Sequence, residues 1–261
     1  MFSRRKIRKD ERVLSSSARR EQPVKRKVRS EVLSSGFWAT IQSALAGFIC
    51  VLVVCSAVAV VSGHYALILL PILILAVRWK RLAFEFFLTM HVIENSLSTF
   101  EWYSLVDNDL YLGAIPLQDQ HLELFLGKLK IGAVLSLNED FELNATTIVG
   151  CPVTSSDWKR SDINFLQLPT PDFMPLTFSL LDTGADFLNS ELSEGRRVYC
   201  HCKSGIGRSA SVVMAYFIKY RGLDCDAAYA ELQTRRSVVF KKDSRQAQRV
   251  REYAVWLQER K

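Results

Sequence analysis

Cys202 and Arg208 lie in the segment Val198-Tyr199-Cys200-His201-Cys202-Lys203-Ser204-Gly205-Ile206-Gly207-Arg208-Ser209. It reads as a strand, a tight loop with two glycines, and the start of an apolar helix. A loop of this kind can gather several backbone N–H groups around one anion. Gly205 and Gly207 are expected to take left-handed dihedrals and let the backbone approach the ligand closely. The helix beginning near Arg208 should aim its free N–H groups and positive dipole end into the same hollow. That field favours a thiolate at Cys202, well below the free thiol value of about 8.5. Arg208 would grip two phosphate oxygens with a planar fork, which Lys cannot do. The chemistry expected is attack of a thiolate on a bound phosphate ester. A zinc site is not expected, because Cys200-His201-Cys202 is too tight to chelate one metal and no second pair follows.

The His-Cys-(five residues)-Arg-Ser arrangement resembles the signature of the protein-tyrosine-phosphatase superfamily, and specifically its dual-specificity branch. The resemblance implies a nucleophile at Cys202 and a phosphate-binding loop made of Lys203, Ser204, Gly205, Ile206, Gly207 and Arg208. It implies that His201 orients the loop and that the Ser209 hydroxyl helps the thiolate leave. It also implies a general acid on a loop some thirty residues earlier. Asp172 lies at that distance, within Leu168-Pro169-Thr170-Pro171-Asp172-Phe173-Met174-Pro175, where prolines stiffen the chain. The rival carboxylates, Asp182 and Asp186, fall inside an expected helix and should be solvated. No metal or other cofactor is required.

Two further segments, Tyr111-Leu112-Gly113-Ala114-Ile115-Pro116 and Leu135-Ser136-Leu137-Asn138-Glu139-Asp140-Phe141-Glu142, resemble the mitochondrial phosphatidylglycerophosphate phosphatase group. The resemblance covers residues 105–258. It implies a phospholipid headgroup as substrate, either phosphatidylglycerophosphate or a phosphoinositide, with membrane lipids as partners. Lys203 adds positive charge beside the pocket, as in lipid-directed members. Ile206 stands where the strongest lipid-directed patterns have a basic residue. The alternative substrate is a phosphorylated protein at a membrane. A phosphate-binding pseudophosphatase is the third reading, and intact Cys202, Arg208 and Asp172 count against it.

The elements that must position these groups are legible as alternating strands and helices. Strands are expected at Leu110–Leu112, Ala133–Leu137, Ile163–Leu168 and Arg197–Cys200. Helices are expected from Asp119 as cap through Leu129, over Thr177–Leu192, over Arg208–Tyr220 up to Gly222, over Asp224–Thr234 and over Asp243–Glu259. The fold class is α/β: a central, largely parallel sheet flanked by helices, the Cys-dependent dual-specificity phosphatase fold.

Ahead of that domain the texture changes. Residues 1–36 hold twelve Lys or Arg against four Asp or Glu, a net +8, while the whole chain carries +7. The basic excess is therefore a property of a disordered tail. A nucleic-acid partner is not expected. From Phe37 to Val77 there are 41 residues without Asp, Glu, Lys or Arg. About 20 helical residues cross a bilayer, so residues 37–79 are expected to form a transmembrane helical hairpin that turns near Ser62-Gly63-His64. Basic clusters flank it on both sides, in the tail and at Arg78-Lys80-Arg81. With two spans, both clusters and the catalytic domain lie on one face, cytosolic or matrix-like. Residues 80–104 form a connector, in which Phe84, Phe87, Leu88 and Met90 either make an interfacial helix or pack on the domain. The catalytic domain is expected over 105–261.

Overall fold

Short runs rich in β-branched and leucine residues form a five-stranded sheet: β1 (Tyr103–Asp107), β2 (Leu110–Gly113), β3 (Ile131–Ser136), β4 (Asn164–Gln167) and β5 (Arg197–His201). The structure is a computed structural model that describes the backbone of residues 66–260 and side chains from Arg78 to Arg260. The expected tail (1–36) and residues 37–65 of the expected hairpin lie outside the described residues. The chain divides into two compact units, Met1–Val77 and Arg78–Lys261. The sheet belongs to the second.

The strand order is β1-β2-β5-β3-β4. The pairs β2–β5, β5–β3 and β3–β4 are parallel, while β1 and β2 form an antiparallel edge. The sheet is thus mixed rather than uniformly parallel, because a two-residue turn joins β1 directly to β2. β1 was hidden in the sequence: Ser104 and Asp107 interrupt its apolar run. Alternation along the strands sends Leu110, Leu112, Ala133, Leu135, Val198 and Cys200 into one core, under helices α4 (Phe178–Ser193), α5 (Arg208–Arg221), α6 (Cys225–Arg235) and α7 (Arg245–Gln258). Val134 and Tyr199 face the other way, against Phe125 and Trp158. Both faces are covered, as a parallel sheet requires.

Side-chain caps fix three of these helices. Thr177, Asp224 and Ser244 accept hydrogen bonds from the N–H groups of Leu180, Ala227 and Ala247. Gly222 ends α5 in the left-handed region at φ 69°. The expected helix from Asp119 through Leu129 is replaced by two π-helical turns, Gln118–Leu122 and Leu124–Lys128. Asp119 does not cap it. The residue at the cap position is Leu117, whose N–H is taken by His121 Nδ1 at 3.1 Å. Two short helices, α2 (Asp140–Leu143) and α3 (Ser155–Arg160), complete the set.

The connector also differs from a separate linker. A single helix, α1 (Ala66–Ser96), runs into it. Phe84 and Leu88 bury against Phe100, Trp102, Ile115 and Leu117, so this part of α1 packs on the domain. Among the described residues, no helix is long and apolar enough to cross a membrane.

Candidate active site

β5 is the central strand, hydrogen-bonded on both sides, and its carboxyl end delivers Cys202 into the loop before α5. This is the place in an α/β sheet where ligands are received. The loop is braced from below. Ile115 N–H donates to the Lys203 carbonyl at 3.2 Å, and Phe240 N–H to that of Ile206 at 3.0 Å. Gly205 sits at φ 68°, and a Cβ there would lie 2.5 Å from the backbone carbonyl of Gly113, so no other residue fits. Gly207 differs from expectation. Its φ is −110°, outside the left-handed region. It caps α5 without a side-chain partner, and the first-turn N–H groups of α5 are left to the pocket.

Cys202 Sγ accepts from Gly205 N–H at 3.3 Å and from the Ser209 hydroxyl at 3.3 Å. Burial opposes a thiolate here. The Arg208 charge and the hydrogen bonds from Ser209 and the loop backbone outweigh it, and hold the Cys202 pKa below the ordinary thiol value. Cys200 has the opposite fate. Burial and the nearby Cys202 push its thiol well up, and it donates to the Ser209 carbonyl. His201 is fully buried, with neither ring nitrogen in hydrogen-bond geometry with a partner among the described residues. Burial pushes its pKa down to about 3, with only a weak approach of the Cys202 backbone opposing, so the ring is neutral. It stacks on Tyr199, whose hydroxyl donates to the Ala114 carbonyl.

Arg208 is gripped more fully than its sequence position foretold. Its Nη1 and Nη2 form a two-pronged pair with Glu142 at 2.8 and 3.0 Å, and Nη1 also donates to the Thr170 carbonyl at 2.8 Å. Both partners are buried. The planar fork is thus aimed by a carboxylate, and Nε is buried with no partner among the described residues. Burial opposes the Arg208 charge, but Glu142 and Cys202 more than offset it and raise its pKa.

Asp172 stands at the mouth. Its Oδ1 is 3.1 Å from Arg208 Nη2, and its Oδ2 pairs with Lys203. The Lys203 ammonium lies between two rings, 4.4 Å from the centre of Phe87 and 5.0 Å from that of Phe173. The expected rivals are occupied elsewhere. Asp182 and Asp186, both on α4, hold Lys219 near the C-terminal end of α5, at 2.6 and 2.5 Å. The pocket so formed is about 310 Å³ and includes Cys202, Lys203, Ser204, Ile206, Gly207 and Arg208 in its lining.

Three contributors escaped sequence reasoning. Arg236 is buried and donates to the carbonyls of Gly205 (3.1 Å), Ser204 (3.2 Å) and Glu101 (3.1 Å). His91 of α1 meets the Ser204 hydroxyl at 2.5 Å while stacking on Phe100. Glu142 ends the segment that begins at Leu135, yet its role depends on α2 folding back beneath Arg208. No local pattern marks Arg236 or His91, since both reach the loop from more than thirty residues away.

Residues 110–254 match the dual specificity phosphatase catalytic domain. The chain belongs to that family. Among its curated members, the mouse phosphatidylglycerophosphatase and protein-tyrosine phosphatase 1 is 35% identical over 120 residues, which are 46% of this chain and 59% of that protein. The Arabidopsis thaliana phosphatidylglycerophosphate phosphatase PTPMT2 is 31% identical over 139 residues, 52% of this chain and 56% of that protein. The chain thus spans a little over half the length of these relatives. A crystal structure of PTPMT1 in complex with PI(5)P superposes with a TM-score of 0.54 at 28% identity, covering 61% of this chain and 99% of that one. Within the dual specificity phosphatase family, the resemblance is therefore to phosphatidylglycerophosphatases.

Proposed function

We propose that this protein is a membrane-anchored phosphatase that hydrolyses phosphomonoesters on a phospholipid headgroup through a phosphocysteine intermediate. The observation that carries the chemistry is the convergence of Gly205 N–H, the Ser209 hydroxyl and the Arg208 charge on one buried sulfur. The similarity to phosphatidylglycerophosphatases supports the substrate class.

In the first step the Cys202 thiolate attacks phosphorus. The S–P bond forms, the P–O bond to the substrate breaks, and its electron pair leaves on the substrate oxygen. Asp172 gives that oxygen a proton. In the second step water attacks phosphorus while Asp172 takes its proton. The S–P bond breaks, and the Ser209 hydroxyl, 3.3 Å from Sγ, stabilises the departing thiolate. Loop N–H groups and Arg208 hold the phosphoryl oxygens in both steps. The Asp172 carboxylate is at rest paired with Arg208 and Lys203. A substrate phosphate competes for the same cations, so its arrival frees Asp172 to take up a proton from solvent and carry it to the leaving oxygen.

Anchoring is part of the same proposal. The 41 uncharged residues from Phe37 to Val77 would cross the bilayer twice, with the basic tail and the catalytic domain on one cytosolic or matrix-like face. Labelling with a membrane-impermeant thiol reagent in sealed vesicles tests it. Ser62→Cys should react from outside, while Ser16→Cys and Ser193→Cys should react only after permeabilisation. Labelling of Ser193→Cys but not Ser16→Cys from outside would mean a single crossing.

The substrate class is tested by phosphate release from phosphatidylglycerophosphate, phosphoinositides and phosphopeptides by the full chain in vesicles. Faster release from one of the lipids is expected. Release from phosphopeptides alone would make it a protein phosphatase.

A further inference from the structure

α1 carries two apolar faces where a helix on a domain surface ordinarily has one. Phe84 and Leu88 point inward and are buried. Roughly opposite, at helical spacing, Trp79, Leu82, Phe86 and Ile93 are exposed, Trp79 by 63%, and exposed Leu97 follows just past the helix end. This outer stripe meets the active-site mouth. Phe86 touches Phe87 edge to face with ring centres 5.5 Å apart, and Phe87 does the same to Phe173 at 6.0 Å. Phe173 is 61% exposed, beside exposed Met174 and next to Asp172. Phe87 and Phe173 both line the phosphate pocket. A second hollow of about 250 Å³, with Trp79, Phe84, Phe173 and Lys203 in its lining, continues along the same rim.

We infer that this collar is a bilayer-docking surface, which lowers the pocket mouth onto the headgroup layer of an anionic membrane. The inference rests on the lipid-phosphatase reading and specifies how the substrate reaches Cys202. Three observations choose a membrane as the occupant. Trp79, Phe86, Phe87 and Phe173 place exposed aromatic rings in the collar, and such rings settle at the headgroup level of a bilayer. Arg78, Lys80 and Arg81, all exposed, share the first turns of the stripe and offer positive charge to anionic lipid. The 41-residue uncharged run ends at Val77, immediately before these cations and Trp79.

The test uses the full chain reconstituted in vesicles of phosphatidylcholine and phosphatidylglycerol, with Leu82→Asp/Phe86→Asp as the variant. Both residues are exposed and neither lines the phosphate pocket. Three substrates are compared: p-nitrophenyl phosphate, a short-chain monomeric phosphatidylglycerophosphate, and the long-chain form embedded in the vesicle. The variant should keep wild-type rates on the first two and lose about tenfold or more on the third. Brominated lipids should quench a fluorescence component that disappears in Trp79→Phe. Wild-type rates of the variant on embedded lipid, or no quenching assigned to Trp79, would overturn the inference. So would a change from dimer to monomer in the variant without Trp79 quenching, which would give the stripe to a second copy. If wild type hydrolyses neither lipid form but does hydrolyse phosphopeptides, the lipid-phosphatase reading fails, and Trp79 quenching alone then decides the collar.

Discussion

The floor of the pocket and its rim are built on opposite principles. The floor, Cys202 to Ser209, is largely buried and held by backbone hydrogen bonds from Ile115 and Phe240, by Arg236 on two of its carbonyls, and by Glu142 beneath Arg208. The rim, made by α1 and the loop carrying Asp172 and Phe173, is exposed, aromatic and joined by ring contacts and ion pairs. A floor of that kind fits the one feature shared by every phosphate ester. A rim of that kind responds to what the phosphate is attached to. Substitutions in the floor should therefore lower activity on all substrates equally, and substitutions in the rim should discriminate among them.

The largest effect is expected at the centre of the floor. Cys202→Ser should reduce turnover to background on every substrate while phosphate binding persists, because the loop N–H groups and Arg208 remain. Arg208→Lys should also be severe, since Lys cannot both pair with Glu142 through two prongs and face the anion. Phosphate release and equilibrium dialysis with inorganic phosphate read the two properties separately. Next comes the rim. Asp172→Asn should lower kcat by about 10²–10⁴ on an alkyl phosphate and much less on an aryl phosphate that leaves readily. Equal losses on both would move the acid to another carboxylate and erase the difference between floor and rim.

Arg236→Ala should come third. It strips a buried guanidinium from three backbone carbonyls, and the expected destabilisation is about 2–4 kcal/mol in denaturant unfolding. The loss of kcat in the fraction that stays folded should be the same on lipid, peptide and aryl phosphate. Substrate-dependent loss would place Arg236 with the rim.

The smallest effect is a pH shift. The fold holds the Cys202 pKa below its unfolded value. The thiolate, and with it kcat/KM, should rise with pH through that lowered pKa. The linked stability is fully present above the unfolded thiol pKa of about 8.5 and is lost as pH falls through the folded one. Ser209→Ala removes one hydrogen bond to Sγ, so the rising limb of the kcat/KM profile should move to higher pH. A limb that stays in place would remove Ser209 from the forces on the sulfur.

The floor was also the more legible region. Val198 to Ser209 can be read because strand, loop and helix are contiguous, and the roles of Cys202 and Gly205 depend on near neighbours. Gly207 is the exception: its glycine suggested a left-handed turn, whereas the loop turns at Gly205 alone. The strands β2 to β5 and the helices α4 to α7 were visible in their periodicity and caps. β1 was not, because its pattern is too short and too polar. Asp119 resembled a cap, but the cap position falls to Leu117, whose N–H is taken by His121, and the turns that follow are π-helical. The rim was largely illegible. Phe87 and His91 reach the loop only because α1 folds onto it, and no spacing in the sequence encodes that approach; Arg236, just past the end of α6, is the part of the floor that was equally hidden.

Acid quenching of the full chain during turnover of phosphatidylglycerophosphate in vesicles, followed by mass spectrometry of the peptide containing Cys202, tests the central claim most directly. A phosphoryl adduct on Cys202 is expected, accumulating further in Asp172→Asn with an aryl phosphate and absent in Cys202→Ser. Continued turnover by Cys202→Ser, or steady phosphate release with the adduct on no residue or on another, would contradict it.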